Sequence, residues 1–186
     1  MRGRRVTAIA LITLIAGAAC AAGCGDDDAS PDTGPITSSA EGNGFVLAVT
    51  LLTNTYTPVD PIELEVTLTW QGAEPTKKVW GSAGGPLMFA LKQLDGPIEI
   101  GPASDAACGI HEFVRGVPQV SGYRKSGGYS DTDPNAAFYQ AFFADPKLRL
   151  PVGQWRISVI VDGYLAECAQ SAPPLSLNAS VDVLVH

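Results

Sequence analysis

The chain has 186 residues, of which 46% are hydrophobic, and a formal net charge of −7. An acidic balance opposes binding to nucleic acid, which requires clustered Lys and Arg side chains, so we predict no nucleic-acid partner. The length suffices for one domain of ordinary size with a leader in front of it.

Residues 1–23 have the composition of an export signal. Arg2, Arg4 and Arg5 form a basic start, residues 6–16 are apolar, and small residues follow. A transmembrane anchor is the alternative, because about 18 uncharged residues can span a bilayer. The Ala and Gly residues before the cysteines favour cleavage instead. Removal of residues 1–23 takes away three arginines and no acidic residue, and it changes the formal charge from −7 to −10.

The segment 21–28, AAGCGDDD, resembles a bacterial lipobox and its acidic continuation, with Ala21 in place of the usual Leu. The resemblance covers residues 1–28. It implies cleavage before Cys24 and a lipid of the diacylglyceryl (palmitate) type on the sulfur. Cys24 is therefore the predicted lipid attachment site, the membrane is a predicted partner, and the predicted location is the extracytoplasmic side of the cell envelope. Cys20 is the alternative site, and an ordinary secretory peptide is the alternative leader.

Cys108 and Cys168 are the two cysteines that follow the leader. In an oxidising compartment two cysteines of one domain usually pair, so we predict a Cys108–Cys168 disulfide. The alternative is a zinc site that adds His111 and His186, because Cys-x-x-His has the spacing of metal ligands.

Beyond the leader, residues 24–44 are predicted to be a disordered acidic tether, and residues 45–186 a single domain. The tether is rich in Asp, Ser, Thr, Pro and Gly and has no apolar periodicity. The clearest strand is 61–70, in which five apolar residues alternate with Glu and Thr. Further strands are predicted at 45–53, 76–80, 87–94, 98–100, 154–161 and 175–185, with one or two more within 110–120. A short helix is predicted at 135–144, capped by Asp133 or Asn135.

Seven to nine short strands separated by Gly and Pro turns predict an all-β sandwich with Trp70 and Trp155 in its core. Residues 56–62, YTPVDPI, resemble the start of bacterial extracytoplasmic immunoglobulin-like domains, although Val59 stands where those domains usually have Gly. Residues 89–96 and 150–155 are similar to later parts of the BsuPI-type, proteinase-inhibitor-like domains. The resemblance covers about a third of the domain, and it implies an immunoglobulin-like sandwich. Protease inhibition is the alternative function that it implies.

No catalytic signature is present, since the chain lacks a G-x-S-x-G elbow and an H-E-x-x-H pair and contains two histidines. We therefore predict a protein that is not an enzyme and has no cofactor. A sparse-carboxylate enzyme is the alternative, and it requires Asp131, Asp133 and Asp145 to converge on His111. Asp131, Asp133 and Asn135 also occupy the first positions of an EF-hand-like loop, whose sixth and twelfth positions lack the required Gly and Glu. They are candidates for a looser calcium site or for a solvated turn.

The longest irregular run is 121–135, which contains Tyr123, Arg124 and Tyr129 among Ser and Gly residues. Its composition resembles the recognition loops of binding sandwiches, in which Tyr supplies contact area and Gly and Ser supply adaptability. We therefore predict a non-enzymatic binding or structural module with a protein or glycan partner. Replacement of Tyr123 and Tyr129 by Ala is expected to abolish partner capture without unfolding. A mobile loop without a partner is the alternative.

Overall fold

The computed structural model describes residues 34–167 and 172–186. In these residues two sheets and one short helix form an all-β sandwich, as predicted, with eleven strands rather than seven to nine. The strands are β1 (Ile36–Gly42), β2 (Phe45–Leu51), β3 (Thr55–Tyr56), β4 (Leu64–Trp70), β5 (Thr76–Ser82), β6 (Leu87–Gln93), β7 (Glu99–Ile100), β8 (Cys108–Val114), β9 (Gln119–Ser121), β10 (Gly153–Tyr164) and β11 (Pro174–Val185), and the helix is α1 (Ala136–Ala144).

The first sheet has the order β1-β2-β4-β9, and all its neighbours are antiparallel. The second sheet is built on the long hairpin of β10 and β11, with the short strand β3 parallel to the end of β11. Two strands share the other edge of β10: β6 pairs with residues 155–161, and β5 pairs with residues 163–164. β7 then pairs with β6, and β8 pairs with β5.

The core lies between the sheets and follows the predicted period of two. In β4 the apolar residues Leu64, Val66, Leu68 and Trp70 are buried, while the residues between them are not. β10 and β11 show the same alternation over twelve residues each. The indole N–H of Trp70 donates to the Glu74 carbonyl, and that of Trp155 donates to the Pro151 carbonyl. Both tryptophans are buried core residues, as predicted, and these hydrogen bonds satisfy their polar groups.

The predicted tether extends too far, because residues 36–42 form β1 and pair with β2 along their whole length. The folded domain therefore begins near residue 36 rather than residue 45. The side of β1 that turns inward carries Ile36, Ser38, Ala40 and Gly42, which are half-buried. A Cβ atom on Gly42 would lie 2.9 Å from the Leu177 side chain, so this strand needs small residues to approach β11. Residues 24–33 of the predicted tether lie outside the described residues.

The remaining local predictions hold with small corrections. The Asp95-Gly96 turn joins β6 and β7, and the Gln93 amide donates to the Ile98 carbonyl at 2.8 Å. Helix α1 begins after Asn135, which makes no side-chain capping hydrogen bond. Its buried residues are Tyr139 and Phe142, and Phe143 is partly buried against the core. Within residues 34–167 and 172–186, no helix combines the length and hydropathy needed for a membrane span.

Candidate binding site at the loop 121–135

The loop 121–135 leaves β9 after Ser121 and is irregular up to α1. Several of its side chains contact the rest of the domain and fix its position. The ring of Tyr123 packs edge-on against Phe89, with the ring centroids 5.1 Å apart. Tyr123 is partly buried against the hydrophobic core, and this burial raises the pKa of its hydroxyl. Tyr123 is therefore only partly available as a contact residue, and its role in recognition stays a prediction. The residue anchors the loop to the sandwich.

Arg124 is exposed, but its guanidinium is oriented by two backbone carbonyls. Nη1 donates to the carbonyl of Gly84 at 2.6 Å, and Nη2 donates to the carbonyl of Leu87 at 3.2 Å. Gly85, between these acceptors, has a φ of 111°, and a Cβ atom there would lie 3.4 Å from Nη2. No carboxylate of the described residues forms an ion pair with Arg124.

Lys125 closes the carboxyl end of α1. Its ammonium donates to the carbonyls of Phe142 and Asp145, and it lies 4.0 Å from the centroid of the Phe142 ring. The last carbonyls of a helix have no intrahelical partner. A cation placed there donates hydrogen bonds to them and is attracted by the negative end of the helix dipole. Burial lowers the pKa of Lys125, although Asp145 acts in the opposite direction.

Tyr129 remains 38% exposed and covers α1, with its ring stacked on those of Tyr139 and Phe143. Close to it, the Asp133 carboxylate accepts a hydrogen bond from the Asn135 amide at 2.7 Å, so the acidic run forms a local turn before the helix. In the described part of the chain no three His, Cys, Asp or Glu side chains gather as metal ligands. Asp131, Asp133 and Asn135 therefore do not assemble with further acidic groups into a calcium site.

Two open grooves lie on either side of residues 122–127. The first has a volume of about 500 Å³, and its polar lining includes Ser82, Ser104, Asp105, Arg124 and Ser126. The second has a volume of about 650 Å³. It has an apolar floor at the start of β4 and a charged rim. Arg124 lines both grooves, and it also lines a smaller third groove of about 160 Å³.

In the first groove the Ser82 hydroxyl is not paired with the nearby histidine as an activated nucleophile would be. The Ser82 hydroxyl accepts hydrogen bonds from the amides of Gly84 and Asp105, and Nε2 of His111 is 2.9 Å from the Ser82 carbonyl rather than its hydroxyl. The convergence required for a sparse-carboxylate enzyme is not formed. His111 lines the third groove and Asp145 the second, while neither Asp131 nor Asp133 lines any of the three.

The sequence pointed to Arg124, but it gave no signal for Ser82, Ser104 or Asp105. Ser82 ends β5, whereas Ser104 and Asp105 lie in the loop before β8, so their meeting depends on the pairing of β5 with β8. Their serine and aspartate side chains are typical of any solvated turn.

The predicted covalent sites fall largely outside the described residues. Cys20 and Cys24 lie there, and so does Cys168. Cys108 begins β8 on the exposed side of the second sheet and is not a free cysteine. Its pairing with Cys168 stays a prediction, and so does the lipid on Cys24. His111 is held by the Ser82 carbonyl, which leaves one of its ring nitrogens for any zinc site.

Comparison of the chain with family models, curated proteins and solved structures found no match. The assignment of an all-β sandwich therefore rests on the strand order and pairing alone.

Proposed function

We propose that the protein is a non-enzymatic binding module of the cell envelope, anchored by a lipid on Cys24 and stapled by a Cys108–Cys168 disulfide. In this proposal the ligand-binding element is the first groove. Arg124 is the residue that contacts a carboxylate, phosphate or carbonyl oxygen of the partner. An immunoglobulin-like sandwich, a common scaffold for recognition loops, is consistent with this role.

The observation that supports the proposal is the orientation of the Arg124 guanidinium. Two of its five N–H groups are bound to backbone carbonyls, and the others have no partner among the described residues. An arginine held in this way loses little side-chain entropy when it binds, and its fork of donors matches planar oxygen ligands. The hydroxyls of Ser104 and Ser126 line the same groove and can supply further hydrogen bonds.

The anchor and the disulfide are tested by the intact mass of protein extracted from membranes, before and after reduction. We expect a chain that begins at Cys24 with a diacylglyceryl group and that gains two hydrogens on reduction. An unlipidated chain would contradict the anchor, and an unchanged mass on reduction would contradict the disulfide.

The groove is tested by a photo-crosslinking amino acid placed at Ser126, with the same amino acid at Glu41 on exposed β1 as the control. We expect an adduct from position 126 alone. Arg124→Gln should abolish that adduct. The matched variant Arg156→Gln should keep it, because Arg156 is already paired with Asp182 on the outer face of the second sheet.

The two arginine variants must have similar melting temperatures, so that loss of the adduct cannot be attributed to unfolding. An adduct of equal yield in both variants would overturn the assignment of Arg124. Equal adducts from positions 126 and 41 would overturn the groove itself.

A further inference from the structure

We infer that one end of the sandwich, where the chain enters β1, rests on the lipid surface and inserts exposed apolar side chains into it. This end is called the tether end below. The inference rests on the proposed lipid anchor for its orientation, but the apolar surface is a property of the described residues alone.

The register of the strands defines the tether end. Ile36 pairs with Leu51, and Leu51 pairs with Leu64, so β1 begins where β2 ends and β4 begins. In the second sheet Gly153 pairs with Val185, which pairs with Tyr56. The two sheets meet at this end because β2 of the first sheet ends at Leu51 and β3 of the second sheet begins at Thr55, and the Leu184 amide donates to the carbonyl of Asn54 in this short connection at 2.7 Å.

The loops of the tether end expose large aliphatic side chains. Leu52 is 73% exposed, Val59 is 76% exposed and Val152 is 61% exposed. Hydrogen bonds hold the loops of Val59 and Val152 close to one another: Arg149 Nε donates to the Val59 carbonyl at 2.9 Å, and the Ile62 amide donates to the Leu148 carbonyl at 2.8 Å. Single exposed apolar residues are ordinary, but several on adjacent loop tips mark a surface that loses water in a complex.

The position of the proposed lipid anchor indicates that the bilayer covers the tether end. Twelve residue steps separate Cys24 from Ile36, and a chain of that length spans at most about 40 Å. β10 alone has twelve residues, which at about 3.3 Å per residue gives the sandwich a length of about 40 Å. A lipid on Cys24 therefore holds the tether end near the bilayer, whereas the opposite end cannot reach it without the tether running back along the whole domain.

Charge does not dominate this contact. Lys147 and Arg149 lie at the tether end together with Asp60, Glu63 and Asp145, so both signs are present, and Arg149 is already paired with Asp145. The occupant that fits is the apolar–polar boundary of a bilayer, which takes up aliphatic side chains to a depth of about 5–10 Å whatever its headgroup charge. The contact should therefore be insensitive to salt.

The test uses the full chain, expressed with its leader, extracted from membranes and placed in phosphatidylcholine vesicles with or without brominated acyl chains. Two variants are compared, Leu52→Trp at the tether end and Val117→Trp as the matched control. Val117 is 53% exposed and follows Gly116, whose amide donates to the Trp70 carbonyl at the opposite end of β4. Both positions are at the surface, so both variants should melt like the parent.

Emission is measured relative to the parent with its three native tryptophans. We expect brominated lipid to reduce the added emission of Leu52→Trp about twofold, at low and high salt alike, because the side chain sits at the depth of the bromines. The added emission of Val117→Trp should not change. Equal quenching at both positions, or none at position 52, would overturn the inference.

The intact mass of the same samples separates this result from the anchor. A lipidated chain without quenching at position 52 would refute the docked end and leave the anchor standing. If the chain is unlipidated, the proposed anchor fails, and the variants are simply mixed with the same vesicles. Quenching of Leu52→Trp alone would then still support the apolar end, and its absence would overturn it.

Discussion

Replacement of Tyr123 by Ala should destabilise the domain rather than only weaken a binding surface. The Tyr123 ring lies partly buried against the core, edge-on to Phe89, which is itself 2% exposed. Removal of the ring leaves a gap between the loop 121–135 and β6, and a rigid sheet can fill such a gap only in part.

The size of the effect follows from two contributions. Loss of the burial of an aromatic side chain costs about 2 kcal/mol. Loss of the edge-to-face ring pair costs about 1 kcal/mol more. We therefore expect Tyr123→Ala to lower the free energy of unfolding by about 3 kcal/mol, which is a large part of the stability of an ordinary domain.

Urea denaturation at neutral pH checks this value, with Tyr123→Phe and Tyr129→Ala as controls. Tyr123→Phe should keep the parent midpoint, because the Tyr123 hydroxyl has no hydrogen-bond partner among the described residues. Tyr129→Ala should cost no more than about 1 kcal/mol, since it removes stacking from an exposed ring. A parent-like midpoint for Tyr123→Ala would refute the anchoring role and restore Tyr123 as a free contact residue.

Alkaline pH gives an independent test of the same burial. The pKa of Tyr123 is raised in the folded state, so its contribution to stability is complete below the unfolded pKa of about 10 and is lost as the pH rises above that value. The loss is at most about 1.4 kcal/mol per pH unit for one proton. Tyr123→Phe should therefore be more stable than the parent at pH values above 10 and equal to it at neutral pH. A parallel decline of both proteins would contradict the raised pKa.

Three further predictions concern the supports of the fold. Lys125→Met keeps the apolar stem but loses the hydrogen bonds to the carbonyls of Phe142 and Asp145, and it should lower the free energy of unfolding by about 1–2 kcal/mol in urea titrations. An unchanged midpoint would contradict the capping role of Lys125. Arg156 lowers the pKa of Asp182 by hydrogen bonding, so Asp182→Asn should cost at most about 1 kcal/mol at pH 7. This difference should disappear as the pH falls below about 4, and a constant difference down to acid pH would refute it. In Gly163→Ala the new Cβ would lie 2.8 Å from Val79, so overpacking should cost about 1–3 kcal/mol and lower the melting temperature, whereas a parent-like melting temperature would show that the junction can relax.

The strands with a regular apolar period could be predicted from the sequence, because burial of one face requires that period. β4, β10 and β11 alternate without interruption, and their buried residues are those expected. β1 could not be found in this way. Its inward residues Ser38, Ala40 and Gly42 are small because the strand lies close to β11, and small residues are also typical of disordered segments.

The candidate site was predictable in position but not in the roles of its residues. The irregular composition of residues 121–135 indicated a loop, and residues of that loop line both the first and the second groove. The side chains of Tyr123, Arg124 and Lys125 are occupied by residues 17 to 40 positions away in the sequence, as the bonds from Lys125 to Phe142 and from Arg124 to Gly84 show. Local patterns carry no information on such distant partners, so a buried anchor and an exposed contact residue look alike in the sequence.

The place of β11 in the second sheet has a consequence for the time at which the domain folds. β11 pairs with β10 along its whole length, and its end lies parallel to β3, where Val185 meets Tyr56 across most of the chain. Six of its side chains are buried, so a nascent chain without residues 174–185 has neither a complete core nor a closed second sheet. Contacts between residues so far apart in the sequence also form slowly, because closing the long loop costs conformational entropy before any stabilising contact is made. The core of the domain therefore cannot be completed before residues 174–185 have been synthesised.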